Sequence, residues 1–141
     1  MYLDSCIIVK LLAPEPDSAT FERALRGQPL TTSELAFAEV SSALLARERA
    51  GGLGGQDRER AWQQFRRWIE HEEIALAPLD SAVLRKAQRF LEQCHPKVPL
   101  RTLDAIHLAT ADMVMEGPLC TTDRRLREAA TQLGLEVFPP A

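Results

Sequence analysis

The apolar positions of this chain fall into short blocks separated by stretches of helical periodicity, and the alternation repeats from one end to the other. Met1-Tyr2-Leu3 is apolar and too short for a helix, so it reads as a buried strand leading into a helix over Ser5–Leu12 that Pro14 stops. Asp17 or Ser18 caps a second helix reaching about Arg26. Pro29–Thr32 reads as the next strand. Ser33 then caps a long helix, Glu34 to about Ala50, closed by Gly51-Gly52-Leu53-Gly54-Gly55. A helix from Asp57 to about Glu72 carries Trp62, Phe65, Trp68 and Ile69 at three- and four-residue spacing. Downstream, Ile74–Leu79 is a strand, Asp80 caps a helix over Ser81–Gln93, and Cys94–Leu100 is a proline-containing loop. Thr102 caps a helix to about Met115, Pro118–Thr121 is a strand, Asp123 caps another helix, and Leu135–Phe138 is a last strand.

Short strands alternating with helices imply a mainly parallel sheet covered by helices on both faces. No repeat or linker divides the sequence, so residues 1–141 are expected to form one domain. In such sheets ligands bind beyond the carboxyl ends of the strands, and Asp4 and Asp123 each follow a strand there.

Composition narrows the class. With 45% hydrophobic and 26% charged residues the chain has an ordinary globular balance. No apolar run approaches the roughly 18 residues of a membrane span, and the opening residues lack the basic segment of a signal peptide. Cys6, Cys94 and Cys120 are odd in number and far apart, which suits a reducing cytoplasm and neither a disulfide framework nor a zinc knuckle. The net charge of −3 does not suggest a nucleic-acid-coating protein, yet 14 of the 17 basic residues are arginines, whose forks suit phosphate.

Taken singly, Asp4, Asp104 and Asp123 have structural readings as helix caps or first-turn acids. Glu39 breaks that pattern. It lies mid-helix with Leu35, Ala36, Ala43 and Ala46 along its row, and no basic residue shares that row. A metal site explains the placement better than a surface edge. Carboxylates gathered at ~4 Å repel by roughly 4 kcal/mol per pair at an effective dielectric near 20. A divalent cation removes that cost, and Mg²⁺ or Mn²⁺ binds through a few carboxylates while keeping waters.

The opening Met-Tyr-Leu-Asp4-Ser5-Cys6 with Lys10 and Pro14-Glu-Pro16, the Ala-Glu39-Val segment, Leu100-Arg-Thr-Leu-Asp104-Ala-Ile-His107 through Ala111, and Thr121-Thr-Asp123-Arg-Arg-Leu126 occur in order. Together, and nearly end to end, they resemble the motifs of a PIN domain of the VapC toxin type. Cys6 departs from the Ser or Asn common there. The resemblance implies a three-layer α/β/α sandwich, metal-dependent endoribonuclease activity on RNA, a homodimer, and inhibition by a cognate antitoxin. It makes Asp4, Asp104 and Asp123 metal ligands and Glu39 the fourth catalytic acid.

Around the acids, Ser5 and Thr121 are candidate supporting hydroxyls, although Ser5 has an equal reading as a helix cap. Arg124 and Arg125 are candidate RNA contacts against a default of solvated surface charge. His107 lies three residues after Asp104; because Mg²⁺ prefers oxygen, it reads as an imidazole packed beside the site rather than a ligand. The aromatic row of the Asp57–Glu72 helix is expected in the core or as a paired-helix clamp for an antitoxin segment. A PIN nuclease of RNA processing, an RNA-binding domain without activity and a phosphoacceptor signalling domain are the competing readings. The last needs an acidic pair after the first strand, and Asp4 is single.

Overall fold

The computed structural model describes residues 1–140. Five strands, β1 (Tyr2–Leu3), β2 (Thr31–Ser33), β3 (Ala75–Ala77), β4 (Leu119–Cys120) and β5 (Val137–Phe138), form one sheet in the order β3-β2-β1-β4-β5. Every neighbouring pair is parallel. Seven helices connect them among the described residues: α1 (Ser5–Leu12), α2 (Ser18–Leu25), α3 (Ala36–Arg49), α4 (Gly55–Glu70), α5 (Ser81–Cys94), α6 (Thr102–Val114) and α7 (Arg124–Gln132).

Side-chain alternation along the strands divides the interior in two. Tyr2 and Leu119 point into a core built with α5, α6 and α7, whereas Leu3 and Cys120 point into one built with α1, α2, α3 and α4. All four are essentially inaccessible to solvent. A sheet with a packed helical layer on each face is the expected α/β/α sandwich.

The strands are shorter than the apolar runs suggest. Pro78, Pro118 and Pro139 abut β3, β4 and β5, and a proline has no N–H to extend a ladder. Ser33 is a correction: it ends β2 rather than capping α3. Thr31, Thr32 and Ser33 pair with Ala75, Leu76 and Ala77, and α3 begins only after a turn at Glu34-Leu35. Asp80 and Asp123 do cap, accepting the N–H groups of Val83 at 3.0 Å and Leu126 at 2.9 Å. Thr102 opens α6 itself, and Arg101 holds the capping position.

In α4, Phe65 is fully buried, and Trp62, Trp68 and Ile69 pack partly buried against the same core. Phe65 lies 5.6 Å from the ring of Trp62 and 5.6 Å from that of Phe37. The aromatic row therefore belongs largely to the core, as its helical spacing allowed.

The sheet order positions the site. The chain starts at the central β1, steps outward through β2 and β3, then returns to β1's other side with β4 and β5. The direction of winding reverses between β1 and β4, where open parallel sheets form their ligand crevice.

Candidate carboxylate site

Asp4 extends the pairing of β1 and β4 by one step, its N–H donating to the Cys120 carbonyl at 3.0 Å. It occupies the N-cap position of α1, but its carboxylate does not cap the helix. Instead, Oδ2 accepts from the Thr121 hydroxyl at 2.7 Å and from the Cys6 thiol at 3.0 Å. Thr121 is fully buried, and its Oγ1 also accepts the Asp123 N–H at 3.1 Å. One hydroxyl thus ties two of the four acids to the β4 end. The Cys6 thiol is pushed up to about 12 by burial and by the Asp4 charge, so it is a neutral donor rather than a thiolate.

Glu39 projects from α3 toward α1 and α6. Its Oε1 accepts from Ser5 Oγ at 2.8 Å and is in close contact with His107 Nε2. His107 is 1% exposed, lies 3.8 Å from Asp4 Oδ1 through Nε2, and has Nδ1 2.7 Å from the Tyr2 hydroxyl. Burial opposes a charged imidazole, but the Glu39 hydrogen bond and the charges of Asp4, Glu39 and Asp104 prevail and raise the His107 pKa. Burial likewise opposes the Glu39 carboxylate, and the His107 hydrogen bond outweighs it, so the Glu39 pKa is lowered. An imidazolium at His107 would donate Nε2–H to Glu39 and Nδ1–H to the Tyr2 hydroxyl oxygen.

Asp104, in the first turn of α6, has no such counter-ion. Burial, then the charges of Asp123 and Asp4, raise its pKa, against a backbone hydrogen bond from Arg101 and the charge of Arg125. Asp123 has one oxygen committed to its α7 cap.

All four acids line one cavity of about 480 Å³, with Ser5, Cys6 and Thr122. Lys10, Glu15 and Arg47 form its far wall, where Lys10 also holds Asp17 at 3.0 Å and Arg47 contacts Glu15. Among the described residues, no three His, Cys, Asp or Glu side chains already stand close enough to hold an ion in common. The acids surround the cavity. Their chemistry nonetheless fits a hard divalent cation: the charged donors are carboxylate oxygens, the thiol is a neutral donor, and burial with the charges of Asp123 and Asp4 disfavours the Asp104 carboxylate in the absence of an ion.

Glu39 has no partner along its own helix, as expected; its partners Ser5 and His107 come from α1 and α6. His107 is packed beside the acids, as expected, and in addition its Nε2 contacts Glu39. Its flanking run of Ala105, Ile106, Leu108 and Ala109 is the sequence signal for burial. Of the two arginines, Arg124 is nearly fully exposed and paired with Glu128, while Arg125 is partly buried.

The PIN-domain family model matches residues 1–132. The chain belongs to the PIN-domain family. It is 42% identical to "Ribonuclease VapC46" of Mycobacterium tuberculosis over 146 aligned positions, covering 100% of this chain and 98% of that protein. It is 31% identical to "Ribonuclease VapC35" of the same species, covering 99% and 96%. Its PIN fold superposes on FitAcB from Neisseria gonorrhoeae with a TM-score of 0.73 at 20% identity, over 99% of this chain and 96% of that one. A toxin–antitoxin complex from Klebsiella pneumoniae gives a TM-score of 0.60 at 15% identity, over 86% and 85%. Among the described residues, no helix is long and apolar enough to cross a membrane.

Proposed function

We propose that this chain is a divalent-metal-dependent endoribonuclease, the toxin of a toxin–antitoxin pair, hydrolysing RNA phosphodiester bonds at the cavity of Asp4, Glu39, Asp104 and Asp123. The reading is carried by one observation: four acids share a cavity at the switch point of a chain 42% identical, end to end, to a protein named a ribonuclease.

Asp4, Asp104 and Asp123 would hold Mg²⁺ or Mn²⁺, and Glu39 completes the set. When bound, the ion offsets the repulsion of the acids and supplies Lewis-acid stabilisation of charge developing on the phosphate. Thr121 and Cys6 fix the orientation of Asp4, and Ser5 and His107 that of Glu39, while the acids would draw closer together around a bound ion. Hydrolysis joins a water oxygen to phosphorus and breaks the bond to a ribose oxygen, which takes up a proton. Arg124 and Arg125, at the start of α7, contact flanking phosphates. Residues 1–141 act as one nuclease domain in a cytoplasmic homodimer whose activity a cognate antitoxin blocks.

The test is cleavage of end-labelled RNA by the purified protein with Mg²⁺ or Mn²⁺. Cleavage should vanish in excess chelator and in Asp4→Asn, and the product of the neighbouring gene should suppress it. Undiminished cleavage in chelator overturns the metal mechanism; an active enzyme that no neighbour inhibits is a PIN nuclease without the toxin role.

A further inference from the structure

A second cavity, of about 650 Å³, opens beside the carboxylate site, and Thr122 lines both. The two differ in sign. The carboxylate cavity has five acids and two bases on its walls, whereas the second has Lys97, Arg124 and Arg127 against the single acid Glu128. Arg127 is anchored, donating to the backbone carbonyls of Thr121 at 2.9 Å and Pro139 at 2.5 Å, so its charge is fixed in the wall. Arg124 is held only by Glu128, an exposed pair that a phosphate exchanges at little cost. Lys97 is exposed on the loop between α5 and α6.

We propose that this basic cavity is the subsite for the RNA strand leaving the scissile bond, with Lys97 and Arg124 binding the next backbone phosphates beyond Thr122. Beyond the scissile phosphate, which a bound cation would screen, the five acids of the first cavity repel the flanking phosphates. The strand's nearest favourable exit is the adjoining region of opposite sign, a positively charged groove of the kind that tracks single-stranded backbones. The geometry favours a single strand. Asp4 is only 8% exposed at the cavity floor, and a stacked duplex keeps its phosphates on a stiff cylinder that does not follow such a recess. The inference rests on the nuclease reading for the identity of the strand, and its test separates the two.

The experiment uses the Asp104→Asn chain with Mn²⁺, titrated by fluorescence anisotropy with a labelled single-stranded RNA of about ten nucleotides. The titration is repeated between about 50 and 200 mM salt. Adding Lys97→Gln and Arg124→Gln should weaken binding roughly tenfold and make the slope of log affinity against log salt shallower by about 1.4, the share of two single-strand phosphate contacts. Arg60→Gln with Arg66→Gln removes the same charge from α4, outside both cavities, and should change neither quantity. The proposal is overturned if no RNA binds, if the Lys97/Arg124 variant keeps affinity and slope, or if the α4 variant loses as much. Cleavage by the wild type with an unaltered Lys97/Arg124 titration leaves the nuclease and removes the subsite. Binding that depends on Lys97 and Arg124, without cleavage by the wild type, keeps the subsite and removes the nuclease.

Discussion

Glu39 and Asp104 face the same cavity from α3 and α6, yet their surroundings are opposite. Glu39 has a buried imidazole and a serine hydroxyl on one oxygen, and its pKa falls below the usual carboxylate value. Asp104 has no such partner: burial first, and then the charges of Asp123 and Asp4, raise its pKa. The imidazole thus faces one wall, and on the proposed metal-dependent reading a cation from solution would serve the other. The contrast assigns the acids separate expected tasks: the Glu39 wall is preassembled and contributes to the fold, while the Asp104 wall would hold repulsion that a bound ion relieves.

The largest effect expected from this division is on activity. Asp104→Asn should reduce RNA cleavage by more than about a hundredfold, beyond the range seen when only a supporting group is lost. Its circular dichroism should match that of the wild type. Cleavage within a few fold of wild type would move the ion, or the chemistry, away from Asp104.

The opposite wall should fail through stability. His107→Leu leaves Glu39 half-buried without its counter-ion, a class of change that costs about 3 kcal/mol and lowers the melting temperature by roughly 10 °C. The wild-type pair also fixes a pH window in metal-free buffer. The Glu39 contribution is present above the unfolded carboxylate value and is lost as pH falls through its lowered folded value. The His107 contribution is present below the unfolded imidazole value and is lost as pH rises through its raised folded value. Melting temperatures of wild type and variant across acid and mildly alkaline pH should therefore diverge most between those limits. A constant difference across pH would mean that the pair is not charged.

Those two walls were unequally legible in the sequence. Asp4 and Asp123 could be read because a strand-to-helix junction is a local pattern, and the parallel character of the sheet followed from strands separated by helices. Asp123 also showed its cap. The Glu39 network could not be read, because His107 is 68 residues away along the chain and joins it only when the fold brings side chains of α3 and α6 together. The same limit explains Ser33. Locally it is a good helix cap, but parallel pairing of Thr31–Ser33 with Ala75–Ala77 outweighs the cap and draws it into the sheet. Lys10 and Arg47 joined the cavity wall for a similar reason: their common partner Glu15 lies in the turn after α1, and α3 brings Arg47 to it.

The smallest expected effect is the most direct measure of the stored repulsion. In excess chelator, Asp104→Asn removes one of the charges that Asp123 and Asp4 oppose, so the variant should melt above the wild type. Asp104 is only partly buried and solvent screens much of the interaction, which limits the gain to about 1 kcal/mol, or roughly 3 °C. The sign with pH follows from its raised folded pKa. The penalty is fully present above that value and disappears as pH falls toward the unfolded carboxylate value, so the two proteins should converge in acid. Mg²⁺ should act in the other direction. An ion that binds the folded wild type more tightly than the variant stabilises it more, so the difference narrows and then inverts as the ion concentration rises. Melting curves of both proteins, with chelator and across a Mg²⁺ series, measure all three effects. Parallel shifts with and without the ion would show that Asp104 shares no cation with its neighbours.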